Sequence, residues 1–235
     1  MSSFEGDDEN LAARMNAAYD EQTVEVMRRC LREDSNCVDV GCHEGSILRE
    51  MLRFAPAGTH YAFEPLPELY EGLRTSFPGV RVHQLALSDE AGEVSFQRVK
   101  SNLAYSGLKR RHYPNPDEAV EVINVKADLL DNVVPEAVSI ALVKIDVEGA
   151  ELQVLRGALR TIRRSRPFII FEHGLGAADF YGTTPEEVYD LLNAQAGLSV
   201  SLMEDWLAGE APLSREQFCD QFQRAANFYF MAHPL

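Results

Sequence analysis

The sequence predicts a doubly wound α/β fold, a mostly parallel sheet with helices on both faces. Three observations carry that expectation. Short β-branched or aromatic runs at 37–41, 60–64, 140–146 and 168–172 alternate with segments of helical periodicity. The run from Ile140 to Ile145 is almost continuously apolar, as befits a parallel strand covered on both sides. No internal repeat or low-complexity linker breaks the 235 residues, so residues 1–235 read as one domain.

Taken in order, residues 9–32 show helical spacing through Leu11, Met15, Ala18, Val24, Met27 and Leu31, giving an N-terminal helical segment within 1–35. A strand at 37–41 stops at Gly41, and 46–54 is helical through Ile47, Met51 and Phe54. A second strand, 60–64, is closed by Pro65, followed by a helix at 66–77 and an extended stretch at 80–87. The rhythm then breaks. Alternating runs at 94–99 and 120–125 predict two inserted strands within 93–125, around a loop that could border an acceptor site. That loop holds Lys109, Arg110, Arg111 and His112, either a solvated stretch or a site for an anionic group, and the turn residues Pro114, Asn115 and Pro116. After the strand at 140–146, one helix is expected over 150–164, with arginines at its negative dipole end. A strand at 168–172 precedes a helix opened by Thr184 as cap, Pro185 at its first position and two acids. Strands at 198–203 and 227–232, with a helix at 214–224 between them, finish the chain.

Acidic residues outnumber basic ones 37 to 22, for a net charge of −15, while 46% of residues are hydrophobic. That core content excludes disordered and disulfide-scaffold classes. The charge argues against nucleic acid and anionic membrane surfaces as partners. Cys30, Cys37, Cys42 and Cys219 show no zinc spacing, and Cys37 and Cys42 read as small buried hydrophobes. An acidic start without an apolar leader points to a cytoplasmic protein.

Two constellations carry chemistry. The first is Asp39-Val40-Gly41-Cys42-His43-Glu44-Gly45 at a strand-to-helix turn, where glycines admit a ligand close to unpaired backbone N–H groups. Nineteen residues beyond Gly45, Glu64 ends the next strand, where a carboxylate can accept both hydroxyls of a ribose. The spacing D-x-G-x-x-x-G lacks the G-x-G-x-x-G pattern, which disfavours a nicotinamide oxidoreductase. The second constellation runs from Lys144 to Glu151 and sets Lys144, Asp146, Glu148 and Glu151 at the end of a buried strand and the start of a helix.

Together with Phe63-Glu64-Pro65 and Ala86-Leu87-Ser88-Asp89, these motifs resemble, in order and spacing, the FkbM-type S-adenosylmethionine-dependent methyltransferases over residues 37–172. The resemblance implies a Rossmann-like class I methyltransferase fold of seven strands with the last antiparallel, and O-methylation of a hydroxyl on a small molecule or sugar-containing metabolite. It also implies that Asp39, Gly41 and Gly45 form the cofactor loop, with Asp39 near the methionine ammonium. Glu64 would hold the ribose, Ser88 and Asp89 would lie beside the adenine, and Asp146 beneath the reacting methyl. His43 stands where the family usually has asparagine, and Cys42 where it has a small residue such as alanine.

Transfer to an alcohol needs alignment and then removal of a proton. Strand ends offer Asp146, Glu148, Glu172, His173 and His43 as bases, of which His173 has the most suitable ordinary pKa. Asp146 with Glu172 and His173 could also hold Mg²⁺. A catalytically silent nucleoside-binding or interaction domain on the same fold is the alternative function.

Overall fold

The computed structural model describes residues 4–111, 113 and 117–235, with side chains described from residue 14 onward. His112 and the turn expected at Pro114, Asn115 and Pro116 therefore lie outside the described residues. In chain order the elements are α1 (Phe4–Cys30), β1 (Cys37–Val40), α2 (Ser46–Phe54), β2 (Tyr61–Phe63), α3 (Pro67–Ser76), β3 (Arg81–His83) and β4 (Ala86–Leu87). Then come β5 (Gly92–Val99), β6 (Val120–Asp128), α4 (Leu130–Val133), β7 (Leu142–Ile145), α5 (Glu151–Gly157), α6 (Leu159–Ser165) and β8 (Phe168–Glu172). The chain ends with α7 (Pro185–Asp190), β9 (Ser199–Ser201), α8 (Met203–Ala208), α9 (Arg215–Gln223) and β10 (Tyr229–His233).

Seven strands form the main sheet in the order β3-β2-β1-β7-β8-β10-β9. Neighbours from β3 through β8 pair in parallel, and β10 runs antiparallel to both β8 and β9. The order reverses between β1 and β7, and ligands in such sheets bind beyond the carboxyl ends of strands at that switch point.

Strand alternation sorts the core into two faces. Val38, Val40, Val143, Ile145, Ile169 and Phe171 pack with residues of α4–α7 and α9 on one side. Cys37, Leu142, Ile170 and Met231 pack with α1, α2, α3 and α8 on the other. Each fully buried Leu, Ile or Phe in these layers contributes about 1.5–3 kcal/mol. Cys37 and Cys42 are indeed buried within the second layer.

Three details differ from the sequence reading. The stretch 80–87 splits into β3, in the main sheet, and β4, which pairs with β6 instead. The helix expected over 150–164 breaks at Ala158 into α5 and α6. At that break the Ser88 carbonyl oxygen would lie 2.0 Å from a Cβ on Gly157, so a connecting loop is pressed against the helix. The short helices α4 and α8 carry too few turns for a periodic signal and went unanticipated.

The two inserted strands are β5 and β6. They pair antiparallel from Gly92↔Ala127 to Val99↔Val120 and form a three-stranded sheet with β4. Between them a 3₁₀ turn at Leu103–Tyr105 folds back, and Gly107 bridges to Gln97. This insertion brings Phe96, Leu103, Ala104, Ser106 and Leu108 to the rim of the main sheet's switch-point cleft.

Candidate active site

A cavity of about 240 Å³ opens at the carboxyl ends of β1, β2 and β7. Gly41 to His43 and Ser46 form one wall, Glu64 to Leu66 a second, Asp146 to Glu148 a third, and the insertion a fourth. Asp20 of α1 and Tyr229 of β10 complete it from the two ends of the chain.

The turn after β1 has the shape that the glycine spacing demands. Gly41 has φ 73°, and a Cβ there would stand 1.8 Å from the Asp146 carbonyl oxygen, so only glycine lets β1 and β7 end side by side. Gly45 does not line the cavity; it caps α2 at φ 79°, and a Cβ would strike the Phe77 ring. Two of the four non-glycine residues with positive φ among the described residues, His43 and Glu148, lie in the cavity wall. Such backbone strain collects at functional sites.

Glu64 is 5% exposed. One carboxylate oxygen accepts the His43 backbone N–H and the other accepts that of Leu66, each at 3.0 Å. Burial, opposed by those two bonds, pushes its pKa up to about 7.

At the end of β7, Lys144 is the electrostatic hub. Its Nζ donates to the Gly41 carbonyl at 3.2 Å and lies 3.3 Å from Asp146 Oδ2 and 4.0 Å from Asp39 Oδ1. Burial acts to lower its pKa, but Asp146 and Asp39 outweigh it and raise it. Asp146 is likewise opposed by burial, yet Lys144 and a 2.5 Å hydrogen bond donated by the Tyr229 hydroxyl hold its carboxyl below the ordinary range. Glu148 pairs with Arg111, whose guanidinium stacks over Tyr105. Burial and the neighbouring Asp146 charge nevertheless push Glu148 up to about 8.

The structure redistributes several expected roles. Gly41, Glu64 and Asp146 meet in the cavity wall. Asp39 does not line it: the carboxylate is fully buried beside Lys144, and burial raises its pKa. Ser88 and Asp89 are also absent from the wall. Ser88 Oγ donates to Asp89, Asp89 sits 4.0 Å from Arg156, and Leu85, Ala86 and Leu87 face the cavity in their place. Glu172 stands behind Asp146, off the cavity, where burial and the Asp146, Glu148 and Glu151 charges raise its pKa well above normal.

His173 is the clearest correction. Its ring stacks on Phe222 at 4.6 Å and on Phe218 at 5.9 Å, in the core layer beneath the sheet. Burial lowers its pKa to about 4, so it stays neutral at physiological pH, and it does not line the cavity. Both ring nitrogens lack hydrogen-bond partners, and replacing an unpaired buried polar group by an apolar one of similar size is nearly neutral or stabilising. His173→Leu is therefore expected to keep kcat within a few-fold and to hold or raise the melting temperature, as steady-state kinetics and thermal unfolding would show.

The Mg²⁺ arrangement does not fit these residues. The Lys144 ammonium and the Tyr229 hydroxyl occupy Asp146 Oδ2, and His173 turns away. Among the described residues no group of three or more His, Cys, Asp or Glu side chains could hold a metal ion. Lys144 belongs to the second constellation of the sequence, whereas nothing local marks Tyr229 and Asp20, which reach the cavity only through long-range packing.

The chain is 28% identical over 157 residues to the 2-O-methyltransferase NoeI of Sinorhizobium fredii, covering 60% of this chain and 64% of that relative, less than two thirds of its length. It is 25% identical over 201 residues to the hexuronic acid methyltransferase AglP of Haloferax volcanii, covering 81% and 76%. A crystal structure of an FkbM methyltransferase from Methylobacillus flagellatus shares the fold, with a TM-score of 0.53 at 14% identity over 86% of this chain and 44% of that one. No helix among the described residues is long and apolar enough to cross a membrane. The methyltransferase FkbM domain matches residues 39–198, from the buried Asp39 through the Lys144–Glu151 turn and beyond β8, and the chain accordingly belongs to the FkbM methyltransferase family.

Proposed function

We propose that this chain is an S-adenosylmethionine-dependent O-methyltransferase that methylates a hydroxyl of a small-molecule or sugar-containing acceptor. The observation that carries the reading is Glu64, a buried carboxylate in the cavity wall beside a glycine turn. Its only partners among the described residues are two backbone N–H groups, which leaves lone pairs for two vicinal hydroxyls. NoeI and AglP, by their names, support an acceptor of the sugar type.

When bound, the cofactor supplies an electrophilic methyl on a sulfonium centre. The chain must bind it, keep a negative environment around that cation, and take a proton from the acceptor. Glu64 holds the ribose. The backbone of Gly41 to His43 and the apolar Leu85 to Leu87 pack the remainder of the nucleoside. Asp146, kept ionised by Lys144 and Tyr229, faces the positive centre, and Glu148 receives the acceptor proton.

Glu64→Gln should weaken binding of S-adenosylhomocysteine about tenfold to hundredfold, the scale of charge-assisted hydrogen bonds at 1.5–3 kcal/mol. The carboxylate binds hydroxyls only when ionised, so wild-type affinity should fall as pH drops below about 7. Gln removes that dependence. Calorimetry at pH 6 and 8 on both proteins tests this, alongside methyl transfer from labelled cofactor to a panel of sugar and small-molecule alcohols. Preference for NAD, or no transfer to any alcohol together with no affinity for S-adenosylhomocysteine, would sink the proposal.

A further inference from the structure

We infer that Asp20, on the N-terminal helix outside the family domain, receives the ammonium group of the cofactor's methionine half. The inference rests on the cofactor reading of the cavity given above.

Among the described residues four carboxylates line the cavity: Asp20, Glu64, Asp146 and Glu148. Three are already committed. Glu64 accepts two backbone N–H groups, Asp146 is held by Lys144 and Tyr229, and Glu148 is paired with Arg111. Asp20 alone has no hydrogen bond or ion pair among the described residues. Asp39, the position that resemblance points to, is sealed behind Lys144 and does not line the cavity. An incoming cation gains most from the one carboxylate whose charge no neighbour compensates: Asp146 and Glu148 each already face a cation, and the free lone pairs of Glu64 are those that take the ribose.

Asp20 is exposed, but the helix that carries it is placed firmly. Tyr19 stacks on Tyr229 at 5.2 Å, and its hydroxyl donates to Asn227 Oδ1 at 2.9 Å. One turn on, the Thr23 hydroxyl donates to Met203 Sδ, and Val26 and Met27 are fully buried. These residues recur at helical spacing and fix the face of α1 against the sheet, so Asp20 stands at the cavity next to the Tyr229–Asp146 pair. The Asp146 and Lys144 charges both act on Asp20, with burial the larger influence raising its pKa. The matched family domain begins at residue 39, so α1 completes a site that the domain alone leaves open.

The test is a comparison of two ligands by calorimetry. S-adenosylhomocysteine carries the ammonium, whereas 5′-methylthioadenosine keeps the adenine, ribose and thioether but lacks the amino-acid half. Asp20→Asn should weaken S-adenosylhomocysteine about tenfold, the order expected for one charge-assisted contact at a solvent-accessible wall, and leave methylthioadenosine unchanged. Because the Asp20 side chain makes no hydrogen bond or ion pair among the described residues, the variant should retain the wild-type melting temperature. Equal loss for both ligands, or full affinity for S-adenosylhomocysteine, would overturn the role of Asp20 while leaving the cofactor site intact. A wild-type protein that bound neither compound would overturn both readings.

Discussion

Glu148→Gln is expected to lower kcat by about 10²–10⁴-fold, the usual contribution of a general base, while S-adenosylhomocysteine affinity stays within a few-fold. Glu148 qualifies by elimination and by environment. His173 is walled into the core, Glu172 stands off the cavity, and Asp146 is kept ionised and weakly basic by Lys144 and Tyr229. Glu148 lines the cavity with its pKa pushed up to about 8. It is held there by a left-handed backbone at φ 59°, a conformation costly for a non-glycine residue. A base acts when deprotonated, so wild-type kcat/KM should rise with pH through about 8, and that limb should vanish in Glu148→Gln. Arg111 provides the internal control: removing its charge takes away an influence that lowers the Glu148 pKa, so Arg111→Met should move the limb to higher pH. If Glu148→Gln kept the limb and most of the turnover, another group would be the base.

The contrast between Glu148 and His173 shows what a single sequence discloses about such a site. Local geometry is legible in the sequence: the glycine turn after β1, the strand-ending Glu64 and the acids after Ile145 are all there, and Gly41, Glu64, Asp146 and Glu148 line one cavity. The direction of a side chain at a strand end was harder. His173 follows Ile169 and Phe171 at intervals of two, which assigns it to their core face; alternation carries that signal, whereas a histidine's ordinary pKa points the other way. Asp39 shares the same logic. It alternates with Val38 and Val40, and its register partner on β7 is Lys144. That pairing joins residues more than a hundred positions apart, and no periodicity announces it. Asp20 and Tyr229 lie further out of reach, since only the packing of α1 and β10 on the finished sheet carries them to the cavity. Ser88 and Asp89 stand outside the cavity wall for a local reason, because β4 leaves the main sheet for the inserted one and takes the following residues with it.

Lys144→Met should cost about 3–5 kcal/mol of folding stability, the range for removing one partner of a buried ion pair. The lysine side chain is 9% exposed and that of Asp39 only 1%. Neither Asp39 oxygen accepts a hydrogen bond among the described residues, so Lys144 is the main compensation for its charge. Methionine fills similar volume and leaves both Asp39 and Asp146 without their cation. Stripped of it, the two carboxyls should titrate in the folded variant above their unfolded values near 4. A group whose folded pKa is raised loses stability as pH rises through that window, because the unfolded chain ionises more readily. The stability gap between wild type and Lys144→Met should therefore be small near pH 4–5 and widen toward pH 8, as urea unfolding across that range would show. Adding Asp39→Asn to Lys144→Met should recover a substantial part of the loss at pH 8, since a neutral amide of the same shape removes the buried charge. The same double variant should leave cofactor binding impaired, because Asp146 still lacks its lysine and Gly41 its donor. A gap independent of pH, with no recovery from Asp39→Asn, would mean that Lys144 stabilises the fold through packing of its stem rather than through its charge.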